Sequence, residues 1–131
     1  MEDCSLSKEE RLSSQKAIDD LFTQGKFFFV FPFKVVYLFD KIVGESFPVQ
    51  AAFSVSKKNF KRAVKRNLLK RRMREAYRQN KSILYESAIS DKHLSIMLIY
   101  VVKEECSYSQ IEKGIKQALL QLKNKTEKEL L

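Results

Sequence analysis

The chain is poor in residues that bend, crosslink or catalyse. Among 131 residues there are three glycines, two prolines, two cysteines and one histidine. So little glycine and proline beside a hydrophobic content of 44% excludes a wholly disordered chain or a flexible linker protein. Cys4 and Cys106 lie far apart with no paired spacing, which argues against zinc or a disulfide framework and for free thiols in a reducing compartment. With His93 alone, no His pair, catalytic triad or histidine-rich metal site can be assembled. It reads as a strand-end residue. The neighbours Asp19 and Asp20, and Glu104 and Glu105, read as solvated or capping groups rather than an acid–base pair. The opening Met1-Glu2-Asp3-Cys4 lacks the order of a signal peptide, and every apolar run is interrupted well short of membrane-spanning length. The expectation is a cytoplasmic protein without a membrane partner.

Positive charge is abundant, and in one place. Lys57 to Lys81 holds twelve of the twenty-five Lys and Arg residues and a single acid, Glu75, for a formal charge of +11; the remaining residues sum to −2. A basic patch confined to one element of a near-neutral chain is the footprint of a polyanion binder, because its field attracts phosphates and binding releases their counterions. The length suits one domain, 1–131, able to bury a core without a staple. Ten Phe and five Tyr make that core aromatic-rich.

Local patterning orders the elements. Residues 1–9 are expected to be loose. Ser13 or Ser14 can cap a helix running to about Gln24, with Ala17, Ile18, Leu21 and Phe22 on one face and Gly25 placed to end it. Phe27 to Phe39 is mostly aromatic or β-branched, but Pro32 lacks an amide donor, so the run breaks or lies at an edge there, with a strand from about Phe33 to Phe39. Asp40 to Pro48 reads as a turn. Val49, Ala51, Phe53 and Val55 then alternate with Gln50, Ala52, Ser54 and Ser56 as a half-buried strand. A long helix begins between Phe60 and Arg66 and ends near Asn80, with a further turn through Ile83, Leu84 and Tyr85. Leu94 to Val102 is an apolar strand. Ser109 and Glu112 have the spacing of a capping box for a last helix carrying Ile111, Ile115, Leu119 and Leu122. Helices, strands and helices in this order predict an α+β sandwich: one small sheet of about four strands with helices stacked on it. The cluster Phe27, Phe28, Phe29, Phe31 and Phe33 has the make-up of a stacking platform, but the core is the commoner fate of such clusters and most of it is assigned there. There are no internal repeats.

On a helical wheel, Arg66, Asn67, Lys70, Arg71, Arg74, Arg78 and Lys81 share one side, while Leu68, Leu69, Met73, Ala76 and Tyr77 occupy the rest. Charge thus sits on a rigid rod rather than a floppy tail. Arginine's planar fork holds two phosphate oxygens or stacks on a base, and Asn67 both donates and accepts. A solvated basic helix without a task is the bland alternative, yet so many like charges repel one another unless a polyanion balances them.

The residues then become specific. Ser54-Val55-Ser56-Lys57-Lys58, followed by Ala63-Val64-Lys65-Arg66-Asn67-Leu68-Leu69-Lys70-Arg71-Arg72-Met73-Arg74-Glu75-Ala76, resembles the signature of the bacterial ribonuclease P protein subunit. Arg11-Leu12, the helix ending in Phe22, Gly25 and Tyr37 also occur in that family's order, so the resemblance spans about residues 9–125. It implies a protein that assembles with a catalytic RNA and helps it remove, endonucleolytically, the 5′ leader of precursor tRNA. The RNA performs the hydrolysis with magnesium; the protein needs no catalytic side chain, cofactor or protein partner of its own. The implied fold is an α-β sandwich with a left-handed crossover from Val49–Ser56 through the basic helix to Leu94–Val102, against the usual hand. Arg66, Asn67, Lys70, Arg71 and Arg74 match the family's basic motif, and Lys58 matches a lysine flanking the cleft. Lys57, Arg62 and Arg78 are grouped with them as RNA-binding. Phe22 and Tyr37 match aromatics of a central cleft, lined also by Ser54 and Ser56, where the single-stranded leader lies between the first helix and the sheet. Stacking on such rings suits a leader of variable sequence.

The chain departs from the pattern in places. Leu68 follows Asn67 where the family often has a base, Asn59-Phe60-Lys61-Arg62 is one residue longer than the usual linker and lacks its glycine, and Ile18 replaces a frequent cleft aromatic. Two other classes stay open on sequence: a general RNA-binding or ribosomal-protein-like module without a role in tRNA processing, and a DNA-binding regulator using the basic helix. No clear helix-turn-helix pair precedes that helix.

Overall fold

The computed structural model describes residues 10–41, 49–85 and 92–129. The segment expected to be loose, Cys4, and the turn residues Gly44 and Pro48 lie outside the described residues. Among those described, eight elements follow in the order α1 (Gln15–Gln24), β1 (Lys26–Val30), β2 (Phe33–Lys41), β3 (Val49–Val55), α2 (Ala63–Asn80), α3 (Ser82–Tyr85), β4 (Lys92–Tyr100) and α4 (Tyr108–Glu129). The strands form one mixed sheet in the order β1-β2-β4-β3, antiparallel except for the β3–β4 pair. β3 and β4 are therefore parallel neighbours joined through α2, the strand–helix–strand connectivity that the resemblance implies. The expected α+β class with about four strands is what the chain adopts.

β1 is an addition to the sequence reading. Its five residues pair with β2 from Lys26 opposite Tyr37 to Val30 opposite Phe33. Pro32 sits in the connecting turn, where its missing amide costs no ladder bond, so the proline separates two strands rather than ending one.

The sheet separates two apolar clusters by the alternation of side chains along each strand. Phe33, Val35 and Tyr37 of β2, Val49, Ala51 and Val55 of β3, and Leu94, Ile96, Leu98 and Tyr100 of β4 point to one face, where α2 and α4 cover them. Val36 and Met97 point to the other, beneath Leu21 of α1 and Leu12. The result is a three-layer stack: α1, sheet, then α2 beside α4.

Capping is local and legible. The Ser14 hydroxyl accepts from the Ala17 amide at 3.3 Å, and the Gly25 amide donates to Leu21 O at 2.9 Å. A Cβ at Gly25 would stand 2.2 Å from Leu21 O and 2.9 Å from Tyr37 O, so the chain can leave α1 and enter β1 only without a side chain there. The capping box of α4 lies two residues earlier than expected. Ser107 Oγ accepts from the Gln110 amide at 3.3 Å and Gln110 Oε1 accepts from the Ser107 amide at 2.9 Å, the reciprocal pattern that satisfies both orphan donors.

Along α2, Leu69, Met73, Ala76 and Tyr77 are buried. Burying a Leu- or Met-sized side chain contributes roughly 1.5–3 kcal/mol, whereas a like-charge pair four residues apart costs only about 0.2–0.5 kcal/mol. The apolar stripe therefore outweighs the repulsion along Arg66, Lys70, Arg74 and Arg78. Leu68, placed with the apolar set in sequence, is only half-buried.

Candidate nucleic-acid interface

The turn entering α2 is braced from several sides. Phe60 N donates to Ser56 O at 3.1 Å, Asn59 Nδ2 donates to Val101 O at 3.2 Å, and the Phe60 ring meets Tyr100 at 5.7 Å between centroids. These contacts hold Lys57 and Lys58 at the end of β3 with both side chains exposed. α2 starts at once after Arg62, which makes no side-chain cap, and its first turn carries no acid. Uncapped amides and the positive end of the helix dipole thus add to the field of Lys57 and Lys58.

From this start, α2 presents Asn67, Arg71 and Arg74 to solvent, with Lys70 half-buried beside them. None of the four makes a side-chain hydrogen bond or ion pair with another described residue, so their donors face outward. Two other predicted contacts are partly committed to the fold. Arg66 Nη1 donates to Phe60 O and Lys61 O, both at 2.8 Å, and so ties the turn to the helix. Arg78 pairs with Glu75, whose carboxyl is held below the usual carboxylate range chiefly by that hydrogen bond. Arg62 is exposed just before the helix. On the flank toward α4, Arg72 Nη1 donates to Cys106 O at 2.7 Å and Lys65 meets Glu105 at 2.5 Å. Lys81 leaves the basic face altogether: it is buried against Glu10. The predicted rod is real, but its outward charge is narrower than the helical wheel suggests.

The predicted cleft residues divide. Phe22 on α1 is 54% exposed, Ser54 is half-buried on the α1 side of β3, in line with Ala52 of the α1 cluster, and Ser56 is half-buried just past the strand's end. Tyr37 does not join them. It is 6% exposed on the opposite face of the sheet, below α4, with the Lys125 ammonium 5.6 Å from its ring centroid. A one-residue step along a strand reverses the face. The residue of β2 that points toward α1 is Val36, so Tyr37 is a core residue and not a cleft aromatic. Ile18 packs in the α1 cluster, where it fills space rather than offering a ring.

Sequence reasoning also missed surface features. Phe27, Phe29 and Phe31, assigned to the core, are 58%, 63% and 59% exposed, while Phe33 is buried and Phe28 only partly so. Arg11 lies exposed against the outer edge of β3, bridged to Ala51, and Leu12 N donates to Ala51 O at 2.9 Å. No periodicity marks such an isolated bridge. His93 is half-buried, with Nε2 3.1 Å from Gln50 Oε1, and burial lowers its pKa. Among the described residues no group of three or more His, Cys, Asp and Glu side chains gathers as a metal site, and no helix is long and apolar enough to cross a membrane.

A family model described as Ribonuclease P matches residues 6–123 of the chain. The chain belongs to the ribonuclease P protein family. It is 36% identical over 118 residues to the ribonuclease P protein component of Porphyromonas gingivalis, covering 89% of this chain and 85% of that protein. It is 39% identical over 108 residues to the ribonuclease P protein component of Chlorobium phaeobacteroides, covering 74% and 72%. Its fold is similar to that of the RNase P protein of Thermotoga maritima, with a TM-score of 0.66 at 24% identity over 86% of this chain and 96% of the other. The RNase P protein of Staphylococcus aureus gives the same TM-score at 22% identity, over 86% and 94%. In this chain that fold sets the basic helix directly after the edge strand β3, and the placement organises the candidate interface.

Proposed function

We propose that this chain binds the catalytic RNA of ribonuclease P together with the 5′ leader of precursor tRNA, and thereby assists endonucleolytic removal of the leader. The observation that carries the proposal is the outward array of Asn67, Lys70, Arg71 and Arg74 on one side of α2. It continues into exposed Lys57 and Lys58 just past the end of β3, the strand that bears Ser54 and leads into Ser56. A polyanion met by that array is fixed in register with the α1 side of the sheet.

In this reading the protein positions and neutralises. Guanidinium forks on a rigid helix take phosphate oxygens of folded RNA, and each phosphate neutralised releases counterions. Phe22, standing out from α1, offers a ring on which an unpaired leader base stacks, and the half-buried hydroxyls of Ser54 and Ser56 offer hydrogen bonds to the same strand. Hydrolysis belongs to the RNA and its magnesium, and the chain's part is to hold substrate and RNA together. The buried, unpaired thiol of Cys106 suits a reducing cytoplasm.

The test is to combine the protein with its cognate ribonuclease P RNA and precursor tRNA at low magnesium and follow leader removal. Faster cleavage, with tighter binding of precursor than of mature tRNA, is the expected result. General RNA affinity without either effect would instead favour the ribosomal-protein-like reading.

A further inference from the structure

The registers of the four strands define one transverse row on the α1 face of the sheet. Ser54 of β3 lies opposite Ile99 of β4, Ile99 opposite Lys34 of β2, and Lys34 opposite Phe29 of β1. Each member keeps solvent access: Phe29 is exposed, and Lys34, Ile99 and Ser54 are half-buried. The adjacent row behaves differently. There Val36 and Met97 are buried beneath α1 in the middle of the row, so that half-buried Ala52 at its β3 end and exposed Phe27 at its β1 end are cut off from one another. The first row is therefore an accessible track running beside α1 across the sheet, about 14 Å from β3 to β1 at the usual strand spacing.

The far end of the track is built for a flat, electron-rich, anionic ligand. Phe27 and Phe29 meet edge to face with centroids 5.7 Å apart, and the Lys34 ammonium lies 4.5 Å from the Phe27 centroid. Two rings that a core would have taken are left in water beside a cation. Exposed apolar groups placed side by side mark a surface for binding rather than for stability. An apolar protein partner would be met by Lys34 in the middle of the patch. A nucleic-acid strand uses both halves: the rings stack on bases and the ammonium meets the phosphate between them.

We propose that unpaired RNA of the precursor leader, upstream of the bases near Phe22, crosses the sheet along Ser54, Ile99 and Lys34 and ends stacked on Phe29 and Phe27. This rests on the leader reading above and extends it to a second stacking site, at the opposite edge of the sheet from the basic helix. The site takes bases without regard to their identity, because only ring faces and one cation are offered. A short leader ends before reaching it.

The experiment measures binding of precursor tRNAs with leaders of one, four, eight and twelve nucleotides to holoenzyme reconstituted with native protein or with the Phe27→Leu/Phe29→Leu variant. Leucine keeps the strand apolar, thermal unfolding checks the fold, and Phe27→Tyr/Phe29→Tyr restores the rings. Affinity for the longer leaders is expected to fall by roughly fivefold or more in the leucine variant, as the loss of one stacked base predicts, and to return in the tyrosine variant. Binding of the shortest leader is expected to stay unchanged. Equal binding of native and leucine proteins at every length overturns the second site while leaving the leader reading intact. If native holoenzyme shows no leader dependence at all, both fall. An equal loss at every length places the rings on the catalytic RNA and overturns the assignment to the leader. A native protein that sediments as a dimer, and a leucine variant that sediments as a monomer, would make the patch a self-interface and overturn the proposal.

Discussion

Lys81 and Glu10 form an ion pair inside the protein. The Lys81 ammonium lies 3.0 and 2.9 Å from the two Glu10 carboxylate oxygens, with 9% and 5% of the two side chains exposed. The Tyr85 hydroxyl donates to the same carboxylate. The pair joins the end of the basic helix to the segment that lies along the outer edge of β3, so it holds Arg11 beside that edge. Charges taken this far out of water are stable only while each has its partner.

Glu10→Ala is therefore expected to lower unfolding free energy by about 3–5 kcal/mol, since it takes the Glu10 carboxylate away from a buried cation. Glu10→Ala combined with Lys81→Met should recover most of that loss, because neither charge then remains. Urea unfolding of the native protein and both variants measures the effect. A double variant as unstable as the single one would show that the loss arises elsewhere.

Arg71→Ala/Arg74→Ala should change stability by less than about 0.5 kcal/mol, as the two side chains are exposed and unpaired within the described residues. The same change should flatten the log–log salt dependence of RNA binding by roughly 0.7–0.9 for each phosphate that is no longer neutralised. Arg66→Ala should act differently. Without the charge-assisted bonds to Phe60 O and Lys61 O, stability is expected to fall by about 1.5–3 kcal/mol, besides any weakening of RNA binding. Chemical denaturation paired with a salt titration separates the two; an Arg66 variant of native stability would refute the bracing role.

His93 should make stability depend on pH. Burial lowers its pKa in the folded protein below the ordinary 6.5, with Asp40 opposing in part. The unfolded chain thus takes up the proton first as pH falls. Stability contributed by the neutral ring is full above pH 6.5 and declines below it, until the folded protein also protonates. The curve of unfolding free energy between pH 7.5 and about 5 should be shallower in His93→Asn. Identical slopes in the two proteins would exclude His93 as their source.

Period and charge carried much of this protein in its sequence. The 3.6-residue repeat of Leu69, Met73, Ala76 and Tyr77 settles which side of α2 is buried, because a helix owns its own periodicity. Likewise Ser14, Gly25 and the Ile111, Ile115, Leu119 and Leu122 stripe act within a few residues of themselves. The motif from Ser54 to Ala76 pointed to the family without any coordinates.

Tertiary structure decided the rest. Alternation along β2 shows two faces but does not say which of them α1 will cover, and that choice put Val36 under α1 and Tyr37 under α4. β1 forms because β2 offers it a partner, and its Phe27 and Phe29 stay in water because α1 stops short of that edge of the sheet. The burial of Lys81 required a carboxylate from far along the chain. Local sequence determines what each element prefers to hide; only the assembled layers determine what there is to hide it against.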